Sequence, residues 1–296
     1  MTNPPPHTER DLPLQEKGPQ DSPVKRVALA PGLHIVATPI GNPRDITLRA
    51  LDTLAACDRL LCEDTRRTGK LLAEWSITAK LEAYHDHNTD RMIPRALDWL
   101  AAGEALALVS DAGTPLVSDP GFKLVRAAHA AGHAVTPVPG VSAAVAALSV
   151  AGLPSDRFTF AGFLPPKSAA RRRALGDLAT APGTLIVFET GPRLKDCLTD
   201  MREVLGDRDA VIARELTKTY EDLRRGPLST LIPSHPPKGE IVILLAPAAQ
   251  TVWDSAAIDA ALRERADLRA KDAAREVADL SGWSRRDVYN RLQSRK

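Results

Sequence analysis

Apolar positions fall into short runs separated by stretches of helical spacing, and this alternation begins only at Gly32. Runs at 33–38, 60–62, 81–84 and 105–109 read as strands, while Leu48, Leu51 and Leu54 recur at the spacing of a buried helix face. Further helices are predicted over 94–102 and 122–131. Strand, helix and strand repeated in this way predict an α/β sheet of parallel strands, whose ligands sit outside the carboxyl ends of the strands. A second α/β unit is predicted after Gly152, with apolar runs at 158–163, 184–188, 210–213 and 241–246; the segment 239–247 has the character of a central strand. Beyond Trp253 no strand-like run remains, and Ala, Leu, Arg and Asp follow one another at helical spacing. Four regions result: a tail over 1–31, α/β lobes over 32–151 and 152–249, and a helical module over 250–296. No internal repeat of solenoid period is present.

Composition narrows the class. A chain of 296 residues exceeds one minimal core, and 44% hydrophobic with 26% charged residues excludes wholesale disorder and fibrous repeats. The net charge of +2 says nothing about partners, so any nucleic-acid signal has to come from local clusters. Cys57, Cys62 and Cys197 are an odd number with no Cys-x-x-Cys pair, which speaks against disulfides and thiolate zinc and for a reducing cytoplasm. The N-terminus carries no secretion signal. Residues 134–155 are uncharged, yet Pro137, Pro139, Gly140 and Gly152 interrupt them, so they predict a buried strand, turn and helix rather than a membrane span. The tail holds seven of the 24 prolines and has no apolar periodicity, which predicts flexibility.

Four segments that follow predicted strands are rich in Gly, Pro, Ser, Thr and Asp: 38–43, 110–115, 139–143 and 188–192. One such loop is a turn; four at one sheet edge would bring backbone amides and carbonyls close to a ligand. None is a phosphate-binding Gly-x-x-x-x-Gly-Lys-Ser/Thr loop or a Gly-x-Gly-x-x-Gly fingerprint.

The strings Thr-Pro-Ile-Gly-Asn-Pro-Arg-Asp-Ile-Thr (38–47), Glu-Asp-Thr-Arg (63–66), Ser-Asp-Ala-Gly-Thr-Pro-Leu-Val-Ser-Asp-Pro-Gly (110–121), Gly-Phe-Leu-Pro (162–165), Arg-Glu-Leu-Thr-Lys (214–218) and Lys-Gly-Glu (238–240) carry a resemblance. They resemble the bacterial small-subunit ribosomal RNA methyltransferase I family, within the tetrapyrrole-methylase-like (class III) methyltransferases. The resemblance runs from about Gly32 to the C-terminus. It implies a two-lobed α/β body with S-adenosyl-L-methionine between the lobes, a homodimer, and 2'-O-methylation of a cytidine ribose in 16S rRNA near the decoding centre. It also implies that Pro39, Gly41, Asn42, Asp111, Gly113, Thr114, Pro115, Ser142, Ala143, Phe188 and Glu189 lie near the donor, and that the His85 loop faces the substrate. Asp111 and Asp119 are equally of the type that caps helices.

Methylating a hydroxyl requires that its proton be removed, and the charged candidates for that task are Asp64, Glu215, Lys218, Lys238 and Glu240. A lysine desolvated beside another cation can act as base; an ion-pair network among Arg214, Glu215, Lys218 and Glu240 is the competing reading. His85 with His87, and His129 with His133, lack a third ligand, so no metal is expected. Cations cluster at Lys167, Arg171, Arg172 and Arg173, and again at Arg285, Arg286, Arg291, Arg295 and Lys296. In the second cluster an alanine-rich helix, Gly282 at a turn and Ser284 before Arg285 resemble a helix-turn-helix that would meet the phosphates of 16S rRNA or the 30S subunit; a packing bundle is the plainer alternative. A tetrapyrrole methylase and a nonenzymatic nucleic-acid-binding regulator are the rival functions.

Overall fold

The computed structural model describes residues 24–25, 28–248 and 253–294. The first unit contains β1 (Gly32–Val36), α1 (Leu48–Ala56), β2 (Arg59–Cys62), α2 (Thr65–Glu74), β3 (Leu81–Ala83), α3 (Thr89–Ala101), β4 (Ala105–Val109), α4 (Phe122–Ala130), β5 (Val135–Val138) and α5 (Ala143–Ala151). Its strands form one sheet in the order β3-β2-β4-β1-β5, every pair parallel. A helix between successive strands returns the chain to the same edge before each new strand starts, which is what parallel pairing requires. Alternate strand residues face opposite layers. Leu33, Leu61, Leu106 and Leu108 meet α3 and α4 through Met92, Leu100 and Leu124, whereas Val36, Leu60, Ala107 and Val109 meet α1 and α2 through Leu51, Leu54 and Leu72. The unbroken apolar runs are thus those of strands covered on both faces. The uncharged segment at 134–155 becomes β5, a turn and α5, and among the described residues no helix is long and apolar enough to cross a membrane.

The helix expected from Pro94 starts five residues earlier, at Thr89, and Pro94 lies inside it. Burial of Met92, Ala96 and Leu100 carries the helix across the missing amide. The tail expected over 1–31 lies mostly outside the described residues, although Val24 packs against the first core and the Lys25 amide donates to Asp52 Oδ1 at 2.6 Å.

The second unit contains β6 (Phe158–Phe163), α6 (Ser168–Asp177), β7 (Thr184–Thr190), α7 (Gly191–Leu205), β8 (Asp209–Arg214), β9 (Asp222–Pro227), α8 (Leu228–Leu231) and β10 (Glu240–Leu245). The order is β6-β7-β10-β8-β9, with β10 at the centre as its sequence predicts. Only β6 and β7 are parallel; β10 runs against both β7 and β8, and β9 against β8. β9 escapes the hydrophobic pattern because it is an edge strand of charged, mostly exposed residues, held through its backbone. One face of this sheet is covered by α6 and α7. The other receives α5 of the first unit: Ala144, Ala147, Leu148 and Ala151 pack on Ile186, Val211, Ala213, Val242 and Leu244.

Between α6 and α7, Arg171 is buried with its guanidinium on Asp200 at 2.6 Å. Ser168 Oγ and Arg172 Nε occupy the other carboxylate oxygen, at 3.0 and 2.6 Å. Arg171 is therefore withdrawn from the expected RNA surface, because its charge is spent inside the fold. The three cysteines are free, and burial pushes their thiols up to about 12 for Cys57, 11 for Cys62 and 12 for Cys197, which leaves them unreactive.

The module comprises α9 (Ser255–Arg263), α10 (Ala270–Ser281) and α11 (Arg285–Gln293) around Ile258, Leu262, Ala274, Val277 and Val288. Gly282, at φ 71°, ends α10 in the left-handed region, and Ser284 caps α11 by accepting from the Asp287 amide at 3.1 Å. Arg291 spans to α9 with a bidentate pair on Asp259 at 2.7 and 2.8 Å, so it joins helices within the module instead of standing free for phosphate.

Replacing Asp200 with Ala leaves a buried guanidinium without its counter-charge and is expected to cost about 3–5 kcal/mol in denaturant unfolding. The exposed Arg173→Ala should stay within about 0.5 kcal/mol of the parent.

Candidate active site

Parallel order places the loops after β1, β2, β3, β4 and β5 on one edge of the first sheet. Two of them are joined as a short antiparallel bridge: the Thr38 amide donates to the Gly113 carbonyl at 2.8 Å, and the Gly113 amide to the Thr38 carbonyl at 3.0 Å. Thr114 Oγ1 then donates to the Val141 carbonyl at 2.9 Å and ties in the loop before α5. In the second sheet, Ile241 pairs with both Glu189 and Arg214, which sets the end of β7, the start of β10 and the end of β8 side by side. A cleft opens between the two edges. Asp111, Gly113, Thr114, Asp119, Ser142 and Ala143 line it from one side, Phe188, Glu189, Glu215, Lys218 and Glu240 from the other, with Ile40, Phe163 and Leu216 as apolar wall.

Seven of the residues expected near the donor thus line this cleft: Asp111, Gly113, Thr114, Ser142, Ala143, Phe188 and Glu189. Pro39, Gly41, Asn42 and Pro115 do not. Gly41 and Asn42 close the cleft instead, for the Asn42 amide donates to Thr217 Oγ1 at 3.0 Å. A Cβ on Gly41 would lie 2.5 Å from Lys218 Cγ and 2.9 Å from the Leu216 carbonyl. This close approach is why a glycine stands there.

Lys218 Nζ sits 2.9 Å from Glu215 Oε1 and 2.8 Å from Glu240 Oε2. Burial alone would depress its pKa, but the two carboxylates outweigh burial and hold the ammonium above the ordinary lysine value. The expectation of a lysine poised as base through a neighbouring cation is overturned: Lys218 is a protonated partner in the ion-pair network. Glu215 is held below the usual carboxylate range, first by the Glu240 amide and then by Lys218, with burial opposing. It is also held in the left-handed region at φ 52°, as is Thr217 at 65°, a conformation that costs roughly 1–3 kcal/mol per residue and persists only where surrounding contacts impose it. Lys238 is outside the cleft wall, and its carbonyl accepts from Arg214 Nη1 at 3.3 Å.

Asp64 lies in an adjoining recess with Glu63, Arg66, His85, His87 and Asp111. It caps α2, and the Arg66 side chain followed by the Arg66 amide holds its carboxyl well below the usual range. Asp111 borders both spaces, accepting from the Asp64 amide at 3.1 Å and pairing with Arg67 at 3.2 Å. Neither Asp111 nor Asp119 caps a helix, for Gly121 occupies that position of α4.

Asp119 is the residue sequence reasoning missed. Four left-handed residues, Gly113, Leu116, Ser118 and Gly121 at φ 81°, 71°, 67° and 136°, turn the 110–121 loop back so that Asp119 joins the cleft wall. Burial pushes its carboxyl up to about 6 against a hydrogen bond from Ser110, and the charges of Glu63 and Asp111 push the same way. Nothing in an Asp-Pro-Gly string separates this position from a helix cap. Glu63 is also raised, by burial and then by Asp111 and Asp86, with Arg67 and His85 opposing. Glu189 is buried; its Oε1 accepts from the Thr190 amide at 2.8 Å and faces Arg193 at 3.1 Å, while its Oε2 has no hydrogen-bond partner among the described residues.

The expected RNA contacts are spread over the molecule. His85 is in the recess, its Nδ1 buried and unpartnered. Lys167 and Arg173 are exposed at α6, where Arg172 pairs with Asp200 and Glu203. Arg285 and Arg286 are exposed at the start of α11, Arg285 standing 3.6 Å from Asp279. Among the described residues no group of three or more His, Cys, Asp or Glu is placed to hold a metal ion.

The family model for Tetrapyrrole (Corrin/Porphyrin) Methylases matches residues 32–232, and that for the RsmI C-terminal HTH domain matches 254–296. The ribosomal RNA small subunit methyltransferase I of Mesorhizobium japonicum is 48% identical over 270 residues, covering 89% of this chain and 92% of the relative. The chain belongs to the ribosomal RNA small subunit methyltransferase I family. The family member from Escherichia coli O157:H7 is 45% identical over 87% of this chain and 93% of its own. Solved tetrapyrrole methylases share the fold with this family. The cobalt precorrin-4 methyltransferase CbiF superposes with a TM-score of 0.55 at 19% identity, over 72% of this chain and 94% of its own. The Thermus thermophilus uroporphyrin-III C-methyltransferase complexed with S-adenyl homocysteine does so with 0.52 at 20%, over 72% and 96%.

Gly41→Val forces the 215–218 loop away from the first unit and is expected to lower stability by about 1–3 kcal/mol in urea unfolding. Asp119 gives a pH signature. Because its folded pKa is raised to about 6, its stabilising contribution is complete below the unfolded value and is lost as pH rises through about 6. The stability of Asp119→Asn minus that of the parent should therefore climb between pH 4 and about 6 and level off above, as measured by denaturation across that window.

Proposed function

We propose that the chain transfers the methyl group of S-adenosylmethionine to the ribose 2'-hydroxyl of a cytidine in 16S rRNA near the decoding centre, in the cytoplasm and as a homodimer. The methyltransferase class and its donor follow from family membership. The observation that carries the reading is the cleft itself. Carboxylates of Asp111, Asp119 and Glu189 stand among apolar walls, and the buried Glu189 Oε2 lacks a hydrogen-bond donor. That chemistry fits a ligand with a positive sulfonium and an amine on an otherwise uncharged nucleoside: carboxylates for the cations, Ile40, Phe188 and Leu216 for the base, and backbone groups of 111–114 for the sugar. When bound, the donor supplies a methyl group on a sulfur that departs as a neutral thioether. The chain's own part is to close the cleft through Gly41 and Asn42 against 216–218, to exclude water with the apolar wall, and to hold the acceptor against the donor from the recess.

The rRNA acceptor comes from the relatives named as small-subunit rRNA methyltransferases, and this chain has a matching feature. The tetrapyrrole-methylase family model ends at residue 232, whereas the model for the RsmI C-terminal HTH domain spans the helical module at 254–296. Arg285 and Arg286 at the start of α11, and Lys167 and Arg173 at α6, are exposed cations suited to phosphate, with His85 in the recess nearer the target nucleotide.

The test supplies labelled donor with 30S subunits, naked 16S rRNA and a tetrapyrrole in parallel. Label is expected in rRNA, at one nucleotide whose 3' phosphodiester resists alkali because its 2'-oxygen is no longer a nucleophile. Label in the tetrapyrrole alone, or in no acceptor, would sink the reading. Replacing Arg285 and Arg286 with Ala should weaken rRNA binding and flatten its salt dependence by about one unit per lost phosphate contact, with donor affinity unchanged by calorimetry.

A further inference from the structure

The cleft and the recess meet at three carboxylates. Asp111 borders both spaces, Asp119 faces the cleft and Glu63 faces the recess; the charges of Glu63 and Asp111 both bear on Asp119. A donor in the cleft and an acceptor entering through the recess would come together here, where the two spaces adjoin. Most other ionisable groups at the site are committed. Lys218 carries two carboxylates, Glu215 is held by the Glu240 amide and Lys218, and Asp64 is closed by Arg66. Asp111 is shared between Arg67 and the Asp64 amide. Asp119 has no cation within ion-pair distance among the described residues, and the Ser110 hydroxyl, which donates to the Ala112 and Gly113 carbonyls, lies near it.

We propose that Asp119 is the catalytic residue that accepts the proton of the acceptor hydroxyl where cleft and recess adjoin, with Glu63 on the recess side as the positioning residue. This rests on the ribose-methylation reading above. As the acceptor oxygen bonds to the methyl carbon, the bond from that carbon to sulfur breaks and its electron pair stays on sulfur. The hydroxyl proton passes to an Asp119 carboxylate oxygen and from there to solvent. A carboxyl near 6 is ionised at neutral pH yet has far more proton affinity than one held as low as Asp64, the balance a base requires. The charged and polar groups around it are Ser110 and Asp111 at the end of β4, Glu63 at the end of β2 with His85 and Asp86 acting on it, Arg67 of α2 on Asp111, and, across the cleft, Glu189, Glu215, Lys218 and Glu240.

The experiment measures single-turnover methylation of small-subunit rRNA from pH 5 to 9, S-adenosylhomocysteine binding by calorimetry, and the Asp119 carboxyl by 13C NMR titration of the free protein. The parent rate should rise through about pH 6 and level off. Asp119→Asn should lose that limb and roughly 10²–10⁴ in rate while still binding the product, and Asp119→Glu should restore part of both. Glu63→Gln should move the limb, and the carboxyl titration without any ligand, to lower pH. Asp119→Asn retaining the limb, a rate loss matched by lost product affinity, or a carboxyl titration that Glu63→Gln leaves in place would each overturn the proposal. A parent protein that methylates no rRNA overturns instead the reading beneath it, a result distinct from undiminished rRNA methylation by Asp119→Asn.

Discussion

Packing of α5 across the second sheet is the contact on which the rest of the molecule depends. The helix leaves β5 of the first sheet, yet its buried face, Ala144, Ala147, Leu148 and Ala151, belongs to the core of the second. Alanines on that face let the helix axis approach the strands closely, and the absence of any charge on α5 removes the desolvation cost of being held between two units. Because Ser142 and Ala143 begin this helix and also line the cleft, the seam that fixes the two sheets fixes the distance between the two halves of the site. The approach of Gly41 to 216–218 works at the other end of the cleft.

Within that frame the distribution of charge is uneven in a consistent way. Cations are paired with carboxylates wherever a side chain stabilises a loop: Lys218 on Glu215 and Glu240, Arg66 on Asp64, Arg67 on Asp111, Arg193 on Glu189. The pairings on Asp64 and Glu215 lower those carboxylates' proton affinity, and the two carboxylates beside Lys218 fix its ammonium in the charged form. The junction of Glu63, Asp111 and Asp119 has a single arginine for three carboxylates, so like charge and burial act together there. On the mechanism proposed above, that excess of negative charge would serve both the cationic donor and the departing proton.

The surface cations separate in the same manner. Two clusters that read alike along the chain differ in three dimensions, because a guanidinium close to a helix–helix seam is drawn into it. Arg171 is buried on Asp200, and Arg291 bridges α11 to α9. Their neighbours Arg173, Arg285 and Arg286 stay in solvent, where phosphate could reach them. The exposed positive charge of these two clusters is therefore smaller than their count of basic residues.

What the sequence determined by itself was local and periodic. Short apolar runs marked β1, β2, β3 and β4 of the first sheet and central β10, helical spacing marked α1 and α4, and the Gly282–Ser284 pair marked the turn into α11, each because the signal lies within a few residues of the element it specifies. The glycine-rich loops were visible for the same reason, and residues from all four of them line the cleft. The tertiary structure decided what depends on partners distant in the chain. β9 exists through pairing with β8 and has no pattern of its own. Lys218 is a fixed cation because Glu240, twenty-two residues on, lies beside it. Asp119 is a cleft residue because a loop with four left-handed positions turns back toward Glu63, fifty-six residues earlier in the chain. Proton affinity is a property of surroundings, and those surroundings are assembled only when the two sheets close on α5.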